Sequence, residues 1–188
     1  MEIIQTHIPG VLVLNPRVFK DSRGYFLETF HSKRYREGGI REEFVQDNIS
    51  SSCQGTLRGL HYQHPNGQGK LVQVLSGSVF DVAVDIRKDS PSFGRWYGIT
   101  LTADQHNQMY IPAGLAHGFY VLSRTALFQY KCTDYYNPAS EGGIAWNDPD
   151  IGIEWPLTNA PILSDKDALF NKLADIPRQE LPTMEDYG

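Results

Sequence analysis

The chain has little cysteine: Cys53 and Cys132 are the two in 188 residues. That excludes a disulfide-stapled secreted scaffold, which needs several pairs in place of a large core. It also lacks a basic surplus. Lys and Arg number 17 against 22 Asp and Glu, a formal charge of −5. No cationic excess is left to neutralise phosphates, so no nucleic-acid partner is expected. No stretch approaches the roughly 20 apolar residues of a membrane span. The first ten residues have no basic start followed by an apolar run, so neither a signal peptide nor a membrane partner is expected. The expected location is the cytoplasm. Repeats and low-complexity linkers are missing too. With 40% apolar and 12% aromatic residues, the expectation is one domain, 1–188, around one core.

Several catalytic signatures are absent as well. Gly67-Gln-Gly-Lys70 resembles part of a phosphate loop, but position 64 is His and position 71 is Leu, so the full pattern fails. There is no G-x-G-x-x-G, no G-x-S-x-G, no H-E-x-x-H and no C-x-x-C. Nicotinamide chemistry, serine hydrolysis and zinc-peptidase chemistry lose their usual sequence support.

What is present is period-two alternation. Phe80, Val82, Val84 and Ile86 are apolar, while Asp81 and Asp85 fall between them. This predicts a strand with one buried face. Val72 and Val74 continue the pattern before Ser76-Gly77-Ser78, which reads as a hairpin turn. Further strands are predicted at 11–14, 25–30, 44–48, 56–63, 97–101, 108–111, 118–122, 126–132 and 144–146. Such spacing, with turn residues between, predicts an all-β antiparallel sandwich or barrel. A short helix is predicted at 32–37. A second is predicted over 165–174, with Ser164 as N-cap, acidic residues in the first turn, and Leu169 and Leu173 one turn apart. The last dozen residues read as a loose tail or a docking segment.

Polar side chains inside these strands are costly unless paired or functional. Gln46 and Asn48 are two apart and share a face. Arg58 and His61 are three apart and would face opposite ways on a regular strand. Either a bulge at Gly59 brings both inward, or Arg58 enters a site built partly by a partner chain. Each residue has a plainer reading. His61 and Tyr130 would serve as packed, hydrogen-bonded strand residues, and Arg23 as part of an Asp21-Ser-Arg-Gly24 turn. Asp167 would stabilise a helix N-terminus three residues after Ser164, and Lys70 would be solvated.

Taken together, the segments Asp21–Phe26, Phe44–Ser50, Gly55–Gln63, Lys70–Gly77, Phe80–Arg87, Ser90–Trp96, Ile111–Phe119, Tyr130–Tyr136, Glu141–Pro149 and Ser164–Asp167 resemble the dTDP-4-dehydrorhamnose 3,5-epimerase family of the cupin superfamily. The resemblance runs from about residue 8 to 170. It implies an antiparallel jelly roll with a few short helices, mainly near the C-terminus, acting as a homodimer without metal or other cofactor. The implied substrate is dTDP-4-dehydro-6-deoxy-D-glucose, inverted at C3 and C5 on the way to dTDP-L-rhamnose. By the same likeness His61 is the base, Asp167 its orienting partner, Tyr130 the acid, and Lys70 the stabiliser of the enolate oxygen. Arg23 and Arg58 resemble diphosphate and sugar contacts. Glu28, Gln46, Asp47 and Asn48 resemble the nucleotide-reading group, and Tyr136 the platform for thymine. His117, Glu141 and Lys166 resemble further substrate contacts. Arg23 and Glu28 are the residues a neighbouring subunit would supply. Beside a non-enzymatic sugar-sensing or lectin-like jelly roll, two enzymatic alternatives are weighed. One is an epimerase acting at C3 alone on another dTDP-4-keto sugar. The other is a metal-dependent cupin: Pro112-x-Gly114-x-x-His117 matches half of that metal pattern, but His61 and His64 do not supply the other half.

Overall fold

The computed structural model describes residues 1–187. Thirteen strands in this part of the chain form two facing antiparallel sheets and a separate hairpin. The larger sheet has the order β1 (Glu2–Gln5), β2 (Leu12–Asn15), β10 (Gln108–Ile111), β7 (Lys70–Ser76), β12 (Thr125–Cys132) and β5 (Gln46–Cys53). The smaller has the order β13 (Glu141–Gly143), β6 (Leu57–Gln63), β11 (Leu115–Val121), β8 (Ser78–Asp85) and β9 (Trp96–Thr102). The hairpin pairs β3 (Val18–Asp21) with β4 (Gly24–Leu27). The expected antiparallel jelly roll is therefore observed. So is the short helix α1 (Ser32–Glu37).

The core between the sheets joins Val72, Val74 and Phe128 of the larger sheet to Val79, Ala83 and Phe119 of the smaller. Period two then dictates what else points inward. Lys70 shares a face with Val72 and Val74, Tyr130 and Cys132 with Phe128, Asp81 with Val79 and Ala83, and His117 with Phe119. One end of the interior is thus polar and the other apolar.

Four expectations are corrected here. Ser76-Gly77-Ser78 is not a hairpin turn. β7 pairs with β10 and β12, whereas β8 pairs with β9 and β11, so the glycine carries the chain from one sheet to the other. Gly77 has a φ of 81°, and a Cβ there would lie 2.2 Å from the Thr125 carbonyl. Next, β8 is buried on both faces rather than one. Its even positions Val82 and Val84 pack under Leu173 and Leu181 of the C-terminal segment. Further, 165–174 is no continuous helix. Two short 3-10 turns, Asp167–Leu169 and Leu173–Asp175, flank an extended Phe170. Tertiary bonds draw the backbone out of helix: Ala145 N–H donates to the Asn171 carbonyl (2.8 Å), and Leu173 N–H to Asp148 Oδ2 (2.8 Å). The Ser164 cap survives, accepting from Asp167 N–H at 3.1 Å. The last expected strand forms at 141–143 rather than 144–146.

The tail docks on its own chain. Leu181 is buried, Lys88 N–H donates to the Pro182 carbonyl, and the Tyr187 hydroxyl and His64 Nδ1 share a hydrogen bond (2.7 Å). Among the described residues no helix is long and apolar enough to cross a membrane. Leu173→Ala would leave a hole over β8 and should cost about 2–4 kcal/mol, read as a lower urea midpoint. An unchanged midpoint would mean that the segment does not contribute to the core.

Candidate active site

The site begins with an irregularity in β6. His117 pairs with His61, but Phe119 pairs with Arg58, so β6 carries one extra residue against β11. Gly59 is what permits it. Its φ is 119°, and a Cβ there would sit 2.6 Å from Gly118 Cα and 2.7 Å from the His117 carbonyl. The bulge turns both neighbours to the same side. Arg58 Nε donates to Ser52 Oγ of the facing sheet at 3.0 Å, while His61 faces the polar end of the interior.

His61 Nε2 donates to Asp167 Oδ1 at 2.7 Å. The direction follows from chemistry, since a carboxylate only accepts. Nδ1 is then the ring nitrogen left with a lone pair when the imidazole is neutral. Asp167 is only 4% exposed, and its Oδ2 accepts Gly59 N–H at 3.2 Å. Burial alone would raise its pKa. The His61, Gly59 and Ser164 bonds outweigh it and hold the carboxyl below its ordinary 3.8. Phe170 meets the His61 ring edge-on, with 5.7 Å between centroids.

A cavity of about 230 Å³ brings together His61, Lys70, Tyr130, Gln46, Asn48, Tyr136 and Glu141. Burial pushes the Tyr130 phenol up, so it is protonated at neutral pH; the Arg58 charge opposes the shift. Burial pushes the Lys70 ammonium down. At the mouth, Tyr136 hydroxyl donates to Glu141 Oε2 (2.8 Å), and Lys166 Nζ pairs with the same oxygen (2.5 Å). Gln46 Oε1 accepts from Tyr136 N–H at 3.1 Å.

Other expected residues lie elsewhere. Asp47 projects to the opposite face of β5 and pairs with Lys131 (2.8 Å). His117 is buried behind the cavity and donates through Nε2 to Asp81 Oδ1 at 2.9 Å. Arg23 pairs with Asp21 (2.6 Å) at the tip of the β3–β4 hairpin, and Glu28 pairs with Arg34. Arg23 and Glu28 line separate hollows, not the one holding His61. The three histidines of the metal reading take three different partners: Asp167, Tyr187 and Asp81. Among the described residues no three His, Cys, Asp or Glu side chains are grouped to hold a metal.

The sequence reading missed Tyr62, Gln63 and Gln68, which also line the cavity. Gln63 Oε1 accepts from Asn137 N–H (2.8 Å), and Gln68 Nε2 donates to the Asp134 carbonyl (2.8 Å), bracing the loop that carries Tyr136. The amide-bearing positions around the Gly67-Gln-Gly turn were the available signal. Asp81 was also missed, although an acidic residue amid apolar strand positions was its signal.

An imidazole backed by a carboxylate, a protonated phenol and a lysine around one small cavity define an acid–base enzyme on a jelly-roll scaffold. The family model for dTDP-4-dehydrorhamnose 3,5-epimerase matches residues 5–175. A Shigella flexneri protein named dTDP-4-dehydrorhamnose 3,5-epimerase is 54% identical over 177 residues, 93% of this chain and 97% of that one. A Neisseria gonorrhoeae protein of the same name is 56% identical over 167 residues, 89% of this chain; this chain spans about half (51%) of its length. The Legionella pneumophila dTDP-6-deoxy-D-glucose-3,5-epimerase, solved with dTDP-4-keto-L-rhamnose, superposes with a TM-score of 0.94 at 52% identity, covering 97% of each chain. The chain belongs to the dTDP-4-dehydrorhamnose 3,5-epimerase family.

The lowered Asp167 pKa carries a pH signature. Its stabilisation is complete above the ordinary value of 3.8 and is lost as pH falls through the lowered folded value. Asp167→Asn should therefore lower the thermal midpoint at pH 7, with the gap to wild type narrowing once the pH is taken well below 3.8. A gap that is the same at both pH values would contradict an ionised Asp167.

Proposed function

We propose that this chain is a cofactor-independent isomerase that converts dTDP-4-dehydro-6-deoxy-D-glucose to dTDP-4-dehydro-L-rhamnose. The observation that carries the reading is the convergence of the His61–Asp167 pair, Tyr130 and Lys70 on one cavity. C3 and C5 both flank the C4 ketone, so loss of either proton gives an enolate. His61 takes the proton through the nitrogen that Asp167 leaves free, and Asp167 stabilises the imidazolium that results. Lys70 donates to the ketone oxygen as charge builds there. Tyr130 returns a proton to the opposite face, which inverts the centre. Each inversion leaves His61 with one proton more and Tyr130 with one fewer, and exchange with water resets them. Tyr136 stacks on the thymine, Gln46 and Asn48 read the nucleotide, and Arg58 contacts the diphosphate and sugar. His117, Glu141 and Lys166 support the sugar and the Tyr136 platform.

Arg23 and Glu28 reach such a site only from a second copy. The β3–β4 hairpin exposes Phe19, Tyr25 and Phe26 at 47%, 60% and 66%, an apolar face suited to lie on a partner. The working unit in this reading is a homodimer in which each hairpin completes the other's site. Its place is the cytoplasm, in keeping with two unpaired cysteines.

Turnover of the dTDP-4-keto sugar in deuterated water, followed by NMR, should place deuterium at both C3 and C5. Label at C3 alone would establish the single epimerase instead. His61→Ala should cut the rate about 10³-fold. Tyr130→Phe should keep C–H exchange but lose correct reprotonation, and dialysis against EDTA should leave the rate unchanged. For the dimer, His61→Ala and Arg23→Ala chains, each inactive alone, should on 1:1 reassociation regain about a quarter of wild-type activity. Half of the dimers then pair unlike chains, each with one intact site of two. No recovery would place Arg23 in its own chain's site, and an Arg23→Ala chain active by itself would place it outside any.

A further inference from the structure

Beside the cavity lies a second carboxylate–imidazole pair, whose carboxylate the mechanism above does not use. His117 is the cross-strand neighbour of His61, and it binds Asp81 as His61 binds Asp167. The two pairs differ in one respect. Asp167 uses both oxygens, on His61 and Gly59, whereas Asp81 uses Oδ1 alone. Asp81 is 0% exposed, and its Oδ2 is buried without a hydrogen-bond partner among the described residues. A carboxylate so enclosed is strongly disfavoured unless a positive charge faces it. The inward faces of β7 and β8 direct Lys70 and Asp81 into the same interior.

We propose that Asp81 is a positioning residue of this site: the buried counter-ion that keeps Lys70 an ammonium where the ketone oxygen binds. This deepens the role given to Lys70 above and rests on it. The surrounding groups single out Asp81. Lys70 lines the cavity with His61 of β6, Tyr130 of β12 and Glu141 of β13, and sits opposite Cys132 in the β7–β12 ladder; the Asp81 charge acts on it from β8, His117 of β11 is bonded to Asp81, and the Arg58 charge acts on Tyr130. Tyr136 and Lys166 stand behind Glu141. Burial pulls the lysine toward its neutral form; Cys132, Asp81 and Glu141 pull it back. The Cys132 thiol is itself pushed up by burial, so it brings no charge at neutral pH. Glu141 is already committed to Lys166 and Tyr136. Asp81 is the carboxyl with an oxygen to spare; burial pushes its pKa up, and His117 and then Lys70 oppose that push.

The test is Asp81→Asn, whose Oδ1 still accepts from His117. Lys70 is followed by NMR in the full chain labelled with 13Cε-lysine, alongside kcat and KM against pH. The Lys70 midpoint should fall by about one pH unit or more. The alkaline limb of kcat should move down with it, with kcat at pH 8 reduced on the order of tenfold and KM within about twofold. In a Lys70→Arg background the same substitution should leave the pH profile in place, because a guanidinium stays charged without help. An unchanged Lys70 midpoint in Asp81→Asn overturns the proposal. A lowered midpoint with an unmoved rate profile overturns the catalytic role of Lys70 and leaves Asp81 as its counter-ion only. Should the variant not fold, the unmutated chain decides: a Lys70 midpoint above pH 8 is required, and any lower one overturns the proposal.

Discussion

Asp167 sits where fold and chemistry meet. One oxygen receives the His61 imidazole at 2.7 Å and the other receives the Gly59 amide at 3.2 Å. The first bond sets which ring nitrogen is free; the second ties the carboxylate to the bulge that aims the ring. Because Asp167 lies more than a hundred residues beyond β6, the same contact pins the C-terminal segment across the smaller sheet. That segment brings Leu173 and Leu181 onto the second face of β8. Closing the fold and assembling the base are therefore one event. A bond to a 4%-exposed carboxylate is little weakened by solvent, which is why so small a contact can carry both tasks.

The jelly roll also solves a solvation problem. A cavity of about 230 Å³ with an ammonium, a phenol and an imidazole on its walls could not form in the middle of an apolar sandwich. Here the polar side chains occupy one end of the inter-sheet space, and Phe119, Phe128 and the valines fill the other. Stacking of Phe119 on Phe128, at 4.2 Å between centroids, and of His117 beside Phe128 marks the boundary. Strands on both sides hold the chemical groups on a hydrogen-bonded frame. Their geometry is set before substrate arrives, and little reorganisation is left for the reaction step. Lys70 and Tyr130 both gain from this frame, since each lies next to a pair of ladder partners rather than on a loop.

Much of this was legible along the chain. Alternation located most strands to within a few residues, the composition excluded whole classes of partner, and ten matching segments identified the family. Period two also placed Gln46 beside Asn48 on one face, as observed. The alternation in 79–86 was read correctly as a strand but wrongly as half exposed. What covers the second face arrives from almost a hundred residues away, and local periodicity contains no trace of it. The glycine between two serines was read as a hairpin because turn chemistry is local, whereas the choice of pairing partner is not. The stretch 165–174 has helical spacing and a sound cap. Bonds to Ala145 and Asp148 overrode that preference, since a helix this short gains little by itself.

The residue types at the site were determined by the sequence: an imidazole, a phenol, an ammonium and a carboxylate in an order that matches one family. Only the tertiary structure decided how they meet. It placed Gly59 against Gly118 so that β6 must bulge, sent Asp47 outward, and left Arg23 and Glu28 apart from the cavity. It also enclosed Asp81 with one oxygen unpaired. The physical reason is range. Side-chain alternation and capping act over a few residues, while burial, charge pairing and backbone approach depend on segments that meet only once the sheets have closed.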